Sequence, residues 1–200
     1  MEKSLRYVGI ENFVVLKVDP SIRWRNTQKI KELKKFLDSN RCKTEYILYF
    51  DSDDAVLRDE PEKAIRYLQE EDCELLFSNT HFEGHYKCMP HIKEWTDQIA
   101  DKNGHDRLYI NTGVYIAKTS FLREVIDSAI EYVTEHALSW EEYEELHQKG
   151  GLCERLPSFP KGVGSDQIIL RYLHPNFYPR MKIDYKGRLA LRGGITKFST

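Results

Sequence analysis

Asp51-Ser52-Asp53-Asp54 sets three carboxylates within four residues, directly behind the apolar run Tyr46-Ile47-Leu48-Tyr49-Phe50. That run reads as a strand. A strand ending in clustered carboxylates projects them into the crevice beyond its carboxyl end, where open α/β sheets bind ligands. Hard oxygen donors of this kind suit Mg²⁺ or Mn²⁺, with substrate phosphates completing the shell. Asp51, Asp53 and Asp54 are the candidate metal ligands, with Ser52 beside them. The competing reading is a plain turn after the strand, with Asp53 or Asp54 as its cap.

Two further groups carry polar chemistry inside apolar surroundings. Asn111-Thr112-Gly113 interrupts the strand-like stretch 109–117. Asparagine offers both donor and acceptor to a ligand hydroxyl, and glycine permits close approach of backbone; a bulge in a sheet explains the glycine equally well. Gly164-Ser165-Asp166-Gln167 opens an apolar helical pattern. Asp166 there either points into a site or complements the helix dipole. By their own surroundings Lys29 and Trp24 read as a solvated lysine and a core tryptophan.

The elements that must hold these residues are read from periodicity. Phe13-Val14-Val15-Leu16 reads as a buried strand. Asn26 or Thr27 caps a helix to about Leu37, with Ile30, Leu33 and Leu37 on one face. Pro61 opens a helix through Ala64, Ile65 and Leu68, and Leu75–Phe77 is the next strand. Residues 79–107 are polar, with a short helix near Ile92–Gln98, and read as a long loop over a site. Tyr109–Ala117 is a strand, Ser120 caps a helix to about Val133, and Ser139–Glu142 has the form of a capping box opening an acidic helix. Ser165 caps a helix from Asp166 to Leu173 that Pro175 ends. Met181–Asp184 and Arg188–Leu191 read as short strands. Strands alternating with helices through residue 78 give the fold class: α/β, with a mixed, mainly parallel sheet flanked by helices.

Composition limits the function classes. Two hundred residues with 40% hydrophobic and 31% charged side chains suit one globular domain over residues 1–200. The formal net charge of −2 is dispersed, so no basic stripe marks a nucleic-acid partner. No apolar run is long enough to span a membrane, and Met1-Glu-Lys-Ser-Leu-Arg6 lacks a signal-peptide core; the expected compartment is the cytoplasm. The four cysteines, at 42, 73, 88 and 153, form no Cys-x-x-Cys pair and read as free thiols.

The order of motifs is more specific than any single one. It runs Trp24, Lys29-Ile30, Tyr46–Asp54, Leu75–Ser78, Tyr109–Ala117, Gly164–Gln167 and Ile183–Arg188. Over about residues 10 to 192 this series resembles the glycosyltransferase domain of the procollagen-lysine hydroxylase/glucosyltransferase proteins and their bacterial and viral relatives, which have a GT-A, Rossmann-like fold. The resemblance implies Asp51 and Asp54 as Mn²⁺ (or Mg²⁺) ligands, with Asp53 completing a plain Asp-x-Asp. It implies catalytic roles for Asn111 and Asp166 at the donor sugar. Contacts to the UDP-sugar are implied for Trp24, Lys29, Ser52, Asp53, Asn111, Thr112, Gly113, Asp166 and Gln167. Tyr185, Lys186 and Arg188 are acceptor contacts or surface.

The chain also departs from that family. Only Asp166 stands where relatives carry a run of aspartates. The family's late metal-binding His has no counterpart after His174, leaving His174 itself or the loop residues His81, His85 and His105. The first strand and its nucleotide-contacting loop have no counterpart in the 50 residues ahead of Asp51, so the expectation is a single glycosyltransferase-like domain over residues 1–200 that is truncated at both ends. The expected function is a metal-dependent hexosyltransferase, moving glucose or galactose from a UDP-sugar to a hydroxyl-bearing acceptor, hydroxylysine-like or glycan. The alternatives are a non-catalytic GT-A remnant that binds nucleotide or a protein partner, and, more weakly, a sugar nucleotidyltransferase.

Overall fold

The computed structural model describes residues 5–6, 9–21, 26–39, 41–51, 60–83, 86, 89–135 and 165–190. Among these described residues the elements run, in chain order, α1 (Thr27–Asp38), β1 (Tyr46–Phe50), α2 (Glu62–Glu70), β2 (Leu75–Thr80), α3 (Pro90–Lys102), β3 (Tyr109–Lys118), α4 (Thr119–Glu135), α5 (Asp166–Phe177) and β4 (Met181–Ile183). They form a mixed α/β layer structure around a four-stranded sheet, in the order β1-β3-β2-β4.

Both sheet faces are covered. Leu75, Phe77, Tyr115, Ala117, Met181 and Ile183 pack in one cluster with Ile30, Leu33 and Leu37 of α1, with Phe121, Leu122, Val125 and Ile126 of α4, and with Ile169, Leu170 and Leu173 of α5. The alternate residues Leu76 and Ile116 meet Ala64 and Leu68 of α2 in a second cluster. This period-2 split, matched to helices with apolar residues three and four apart, comes directly from the sequence pattern. Burying a leucine or phenylalanine of this kind contributes roughly 2–3 kcal/mol each before chain entropy is subtracted. A smaller cluster of Tyr86, Met89, Ile92, Tyr109 and Ile168 lies where β3 begins.

Sheet pairing departs from the parallel expectation. β2 and β4 pair in parallel, but β3 is antiparallel to both β1 and β2. β1, β2 and β4 share one direction, and β3 runs against them. The reason lies in the connection after β2. The chain leaves at Thr80, forms α3, and re-enters at Tyr109, which pairs with Thr80 itself. A chain that returns at the sheet end it left can only run antiparallel.

Other expectations are corrected by the same packing. Residues 79–107 are not a long loop, because the thirteen-residue α3 occupies nearly half of them, with Ile92, Thr96 and Ala100 buried. Phe13–Leu16 forms no strand. Val14 and Val15 are 40% and 41% exposed, while Leu16 packs against the main core; a short apolar run without a strand edge beside it stays irregular. Ser120 is not a cap, since β3 runs straight into α4 at Thr119, whose hydroxyl donates to the Thr44 carbonyl at 2.7 Å. Ser165 precedes α5 without a side-chain capping bond.

Pro175 lies inside α5 rather than beyond it. A proline in the final turn costs only one ladder bond, and the turn closes with the Tyr178 N–H donating to the His174 carbonyl at 3.0 Å. Residues 188–190 are irregular, not a strand. Arg188 instead pairs with Glu70 and Glu71 and lies over the Tyr67 ring at 4.7 Å, and the Leu189 N–H donates to Asp184 Oδ2. With the Lys186–Glu71 pair, these contacts fasten the chain after β4 to α2. The acidic helix expected from Ser139 lies outside the described residues.

Candidate functional site

Asp51 comes directly after the last residue of β1, and a distortion in β3 is built around it. Between Phe77 and Ser78 the partner on β3 jumps from Tyr115 to Asn111, so Thr112, Gly113 and Val114 have no opposite residue on β2. On the other side the strand still holds β1: Phe50 pairs with Val114, and the Asp51 N–H donates to the Gly113 carbonyl at 2.8 Å. The bulge therefore swings toward the end of β1. Asn111 folds back on it, its Oδ1 accepting from the Gly113 N–H at 2.7 Å. A Cβ on Gly113 would stand 2.9 Å from that oxygen and 3.5 Å from Asp51 Oδ2. The bulge reading of this glycine holds, and the space a side chain would need is taken by Asn111 and Asp51.

The carboxylate of Asp51 is held from two directions. Lys29 Nζ reaches Oδ2 at 2.8 Å, and the Tyr49 hydroxyl donates to Oδ1 at 3.3 Å. Tyr49 is fixed in turn by stacking on Tyr115, with ring centroids 4.7 Å apart and planes within 10°. Burial, and then the negative charge of Asp51, hold the Tyr49 hydroxyl well above its ordinary pKa. It stays a protonated donor.

α5 supplies the third side. Asp166, its first residue, is only 5% exposed. Burial raises its carboxyl above the usual carboxylate range. The Lys29 charge and a hydrogen bond from the Thr112 side chain pull it back down, while the Asp51 charge pushes it up again. Gln167 Oε1 accepts from the Thr112 N–H at 3.4 Å. One turn on, the buried Arg171 donates to the Ile110 carbonyl from Nε at 3.0 Å and from Nη2 at 2.8 Å, and to the Phe82 carbonyl at 3.0 Å. α5 is thereby tied to β3 immediately before Asn111.

Seven of the residues singled out in the sequence, Lys29, Asp51, Asn111, Thr112, Gly113, Asp166 and Gln167, thus meet in one place. Trp24, Ser52, Asp53 and Asp54 lie outside the described residues, as does His85. The other candidate histidines do not join. His81 and His105 are exposed, the latter stacked on Tyr185 at 4.4 Å. His174 is buried between α5 and β4, with Nε2 3.1 Å from the Met181 carbonyl. A carbonyl only accepts, so Nε2 carries the proton. Burial lowers this imidazole to about 4. Lys186 and Arg188 are engaged with α2, which favours the surface reading over the acceptor reading.

Sequence reasoning missed Tyr49 and Arg171. Tyr49 had a usable signal: two residues before Asp51 on a strand, it shares a face with it. Arg171 gave none, because an arginine within a helix is exposed far more often than buried. Cys42 and Cys73 are free thiols, and burial pushes Cys73 up to about 12. Cys88 and Cys153 lie outside the described residues.

The donor chemistry at Asp51 fits a hard divalent cation. Its carboxylate oxygens are of the type that holds Mg²⁺ or Mn²⁺, and the Lys29 ammonium is already a cation seated on one of them. No group of three or more His, Cys, Asp or Glu gathers as a cation shell among the described residues; Asp51 is the described member of the acidic run. A separate groove of about 520 Å³ is lined by none of these residues. It runs along α3 between Glu83, Tyr86, Lys93, Asp97, Asp101 and Arg107, and its charges pair with one another.

No protein-family model and no curated protein matches this chain in sequence. The class the structure defines is a mixed α/β protein with a polar cluster at the carboxyl end of β1. No helix among the described residues is long and apolar enough to cross a membrane.

Proposed function

We propose that the chain is a metal-dependent glycosyltransferase of the GT-A type, moving glucose or galactose from a UDP-sugar to a hydroxyl-bearing acceptor. The observation that supports this reading is convergence. Lys29, Asp51, the Asn111–Gly113 bulge and Asp166, drawn from four separate elements, share one hydrogen-bonded and charged cluster. The motif order that resembles the procollagen-lysine glucosyltransferase domain selects the same residues.

In this reading Asp51, with Asp53 and Asp54, holds Mn²⁺ or Mg²⁺, which when bound supplies Lewis-acid stabilisation of the leaving diphosphate. The protein's own groups do the rest. Lys29 offers a positive charge to a phosphate oxygen. The Asn111 amide Nδ2 donates to a donor-sugar hydroxyl while its Oδ1 holds the bulge. The Asp166 carboxyl accepts a second sugar hydroxyl from its buried position at the start of α5. The C1–O bond to the diphosphate breaks, a C1–O bond to the acceptor forms, and the acceptor hydroxyl's proton passes to an oxygen of the departing diphosphate. Rate enhancement comes from orientation and from fixed charges aimed at the leaving group.

Calorimetric titration of UDP with and without Mn²⁺, on the wild type and on Asp51→Asn, tests the reading. Mn²⁺-dependent UDP binding that the substitution abolishes is the expected result. Failure of folded wild-type protein to bind UDP in either condition would overturn it. The Lys29–Asp51 pair also favours a second reading, a non-catalytic GT-A module binding nucleotide or a protein partner, because a lysine on that carboxylate neutralises it without a metal. UDP binding indifferent to both Mn²⁺ and Asp51→Asn would select it.

A further inference from the structure

Resting on the glycosyltransferase reading, we propose that Lys29 is a displaceable counter-ion that couples diphosphate binding to cation binding at Asp51. Its ammonium leaves the carboxylate for a phosphate oxygen of a nucleoside diphosphate, and the oxygen it vacates takes the divalent cation.

The two partners differ in how firmly they are held. Asp51 is fixed three ways: its N–H on the Gly113 carbonyl, its Oδ1 by the Tyr49 hydroxyl, and Tyr49 itself by the Tyr115 stack. Lys29 reaches Oδ2 from α1 on a flexible four-carbon stem. The pair is partly exposed, at 20% for the lysine and 25% for the aspartate side chain, so the ammonium can swing without breaking the core. Of the two, the lysine is the part that moves.

Electrostatics then forbids a silent coexistence. An ammonium 2.8 Å from Oδ2 occupies the face of the carboxylate that a cation would need. A divalent ion placed there with Lys29 still in position meets a like charge in a half-buried setting, where repulsion is only partly screened. Asp51 by itself therefore binds the ion weakly. A diphosphate changes the balance, because its oxygens give the ammonium a more highly charged partner. The lysine's charge also acts on Asp166, so a short swing keeps it within the same cluster. By linkage, whatever the diphosphate does for cation affinity the cation does for diphosphate affinity.

The test reads cation binding directly, through the electron paramagnetic resonance signal of free Mn²⁺. Wild type, Lys29→Met, Lys29→Arg and Asp51→Asn are titrated with Mn²⁺ alone and again with saturating UDP, after thermal melts have checked folding. Lys29→Met is expected to bind Mn²⁺ alone about tenfold tighter than wild type, the loss of one opposing charge interaction. UDP should then sharpen Mn²⁺ binding less than it does in wild type. Lys29→Arg, which keeps the charge, should bind Mn²⁺ alone as weakly as wild type. Lys29→Gln removes the charge while keeping a polar end, and gives the same reading where the methionine variant does not fold. Mn²⁺ affinity unchanged or weakened in the uncharged variants, with Asp51→Asn abolishing binding, overturns the counter-ion role and leaves the metal reading standing. Mn²⁺ binding that survives Asp51→Asn, or that no variant shows, overturns both.

Discussion

Gly113 is, among the described glycines, the one whose surroundings leave least room for a side chain. Its backbone φ is ordinary, so an added methyl group meets no backbone strain; it meets the Asn111 Oδ1 at 2.9 Å. That oxygen accepts the Gly113 N–H, so moving it leaves a donor without its partner, at a cost of about 1–2 kcal/mol. Gly113→Ala should lower the urea unfolding midpoint modestly. If the site binds a UDP-sugar as proposed, calorimetry should show UDP affinity falling more than that stability loss implies, because Asn111 and Asp51 both border the new carbon. A variant that binds UDP like wild type would show that the bulge is structural only.

Asp166 carries the opposite balance between stability and function. Its carboxyl is raised above the ordinary value, first by burial. The folded state therefore favours the protonated form, and that contribution is lost as pH rises through the raised value. At neutral pH the burial of this carboxyl therefore opposes folding. Asp166→Asn keeps the shape without the charge, and should be more stable than wild type at pH 7.5, the gap closing as pH falls toward 4. Denaturation midpoints at both pH values check this. If the glycosyltransferase proposal holds, the same variant should also lose activity in a UDP-sugar transfer assay, trading function for stability.

At the scale of elements, α5 does most of the positioning. Its first turn delivers Asp166 and Gln167 to the bulge, its middle anchors β3 through Arg171, and its last turn holds β4 through His174. The His174 contact has a pH signature. Burial depresses the imidazole from 6.5 to about 4. A depressed value means that stability is fully present above the unfolded pKa, near 6.5, and is lost as pH falls toward the folded one. The loss amounts to about 3 kcal/mol over that window, at 1.36 kcal/mol per pH unit. Unfolding midpoints of wild type should fall between pH 6.5 and 4, and His174→Gln, which cannot take up the proton, should lack that part of the slope.

At the scale of the whole molecule, local rules and long-range pairing divide the outcome. β1, α1, α2, β2 and β3 were legible because each carries its own period: Ile30, Leu33 and Leu37 on one helical face, and Leu75, Leu76 and Phe77 alternating between two cores. Asp51 at the end of β1 was legible for the same reason, since a strand's end is a local property. α3 was underestimated because its buried positions, Ile92, Thr96 and Ala100, include a threonine that a polarity pattern reads as surface. Phe13–Leu16 looked like a strand because four apolar residues satisfy the pattern whether or not an edge is available. Pro175 marked the end of α5 only to within a turn, because a helix tolerates the loss of one late bond.

The amino-acid sequence by itself determined most of the helices and strands, which of their faces are apolar, and which residue types offer oxygen, amide and ammonium groups to a ligand. These are decided by spacing along the chain. Only the tertiary structure decided that β3 runs antiparallel between β1 and β2, that its register slips across Thr112–Val114, and that Lys29 lies on Asp51 with Asp166 beside them. Those facts depend on residues more than twenty positions apart along the chain, and for Asp166 more than a hundred. Their contact is set by how the sheet closes and the helices pack on it, and no local pattern carries that information.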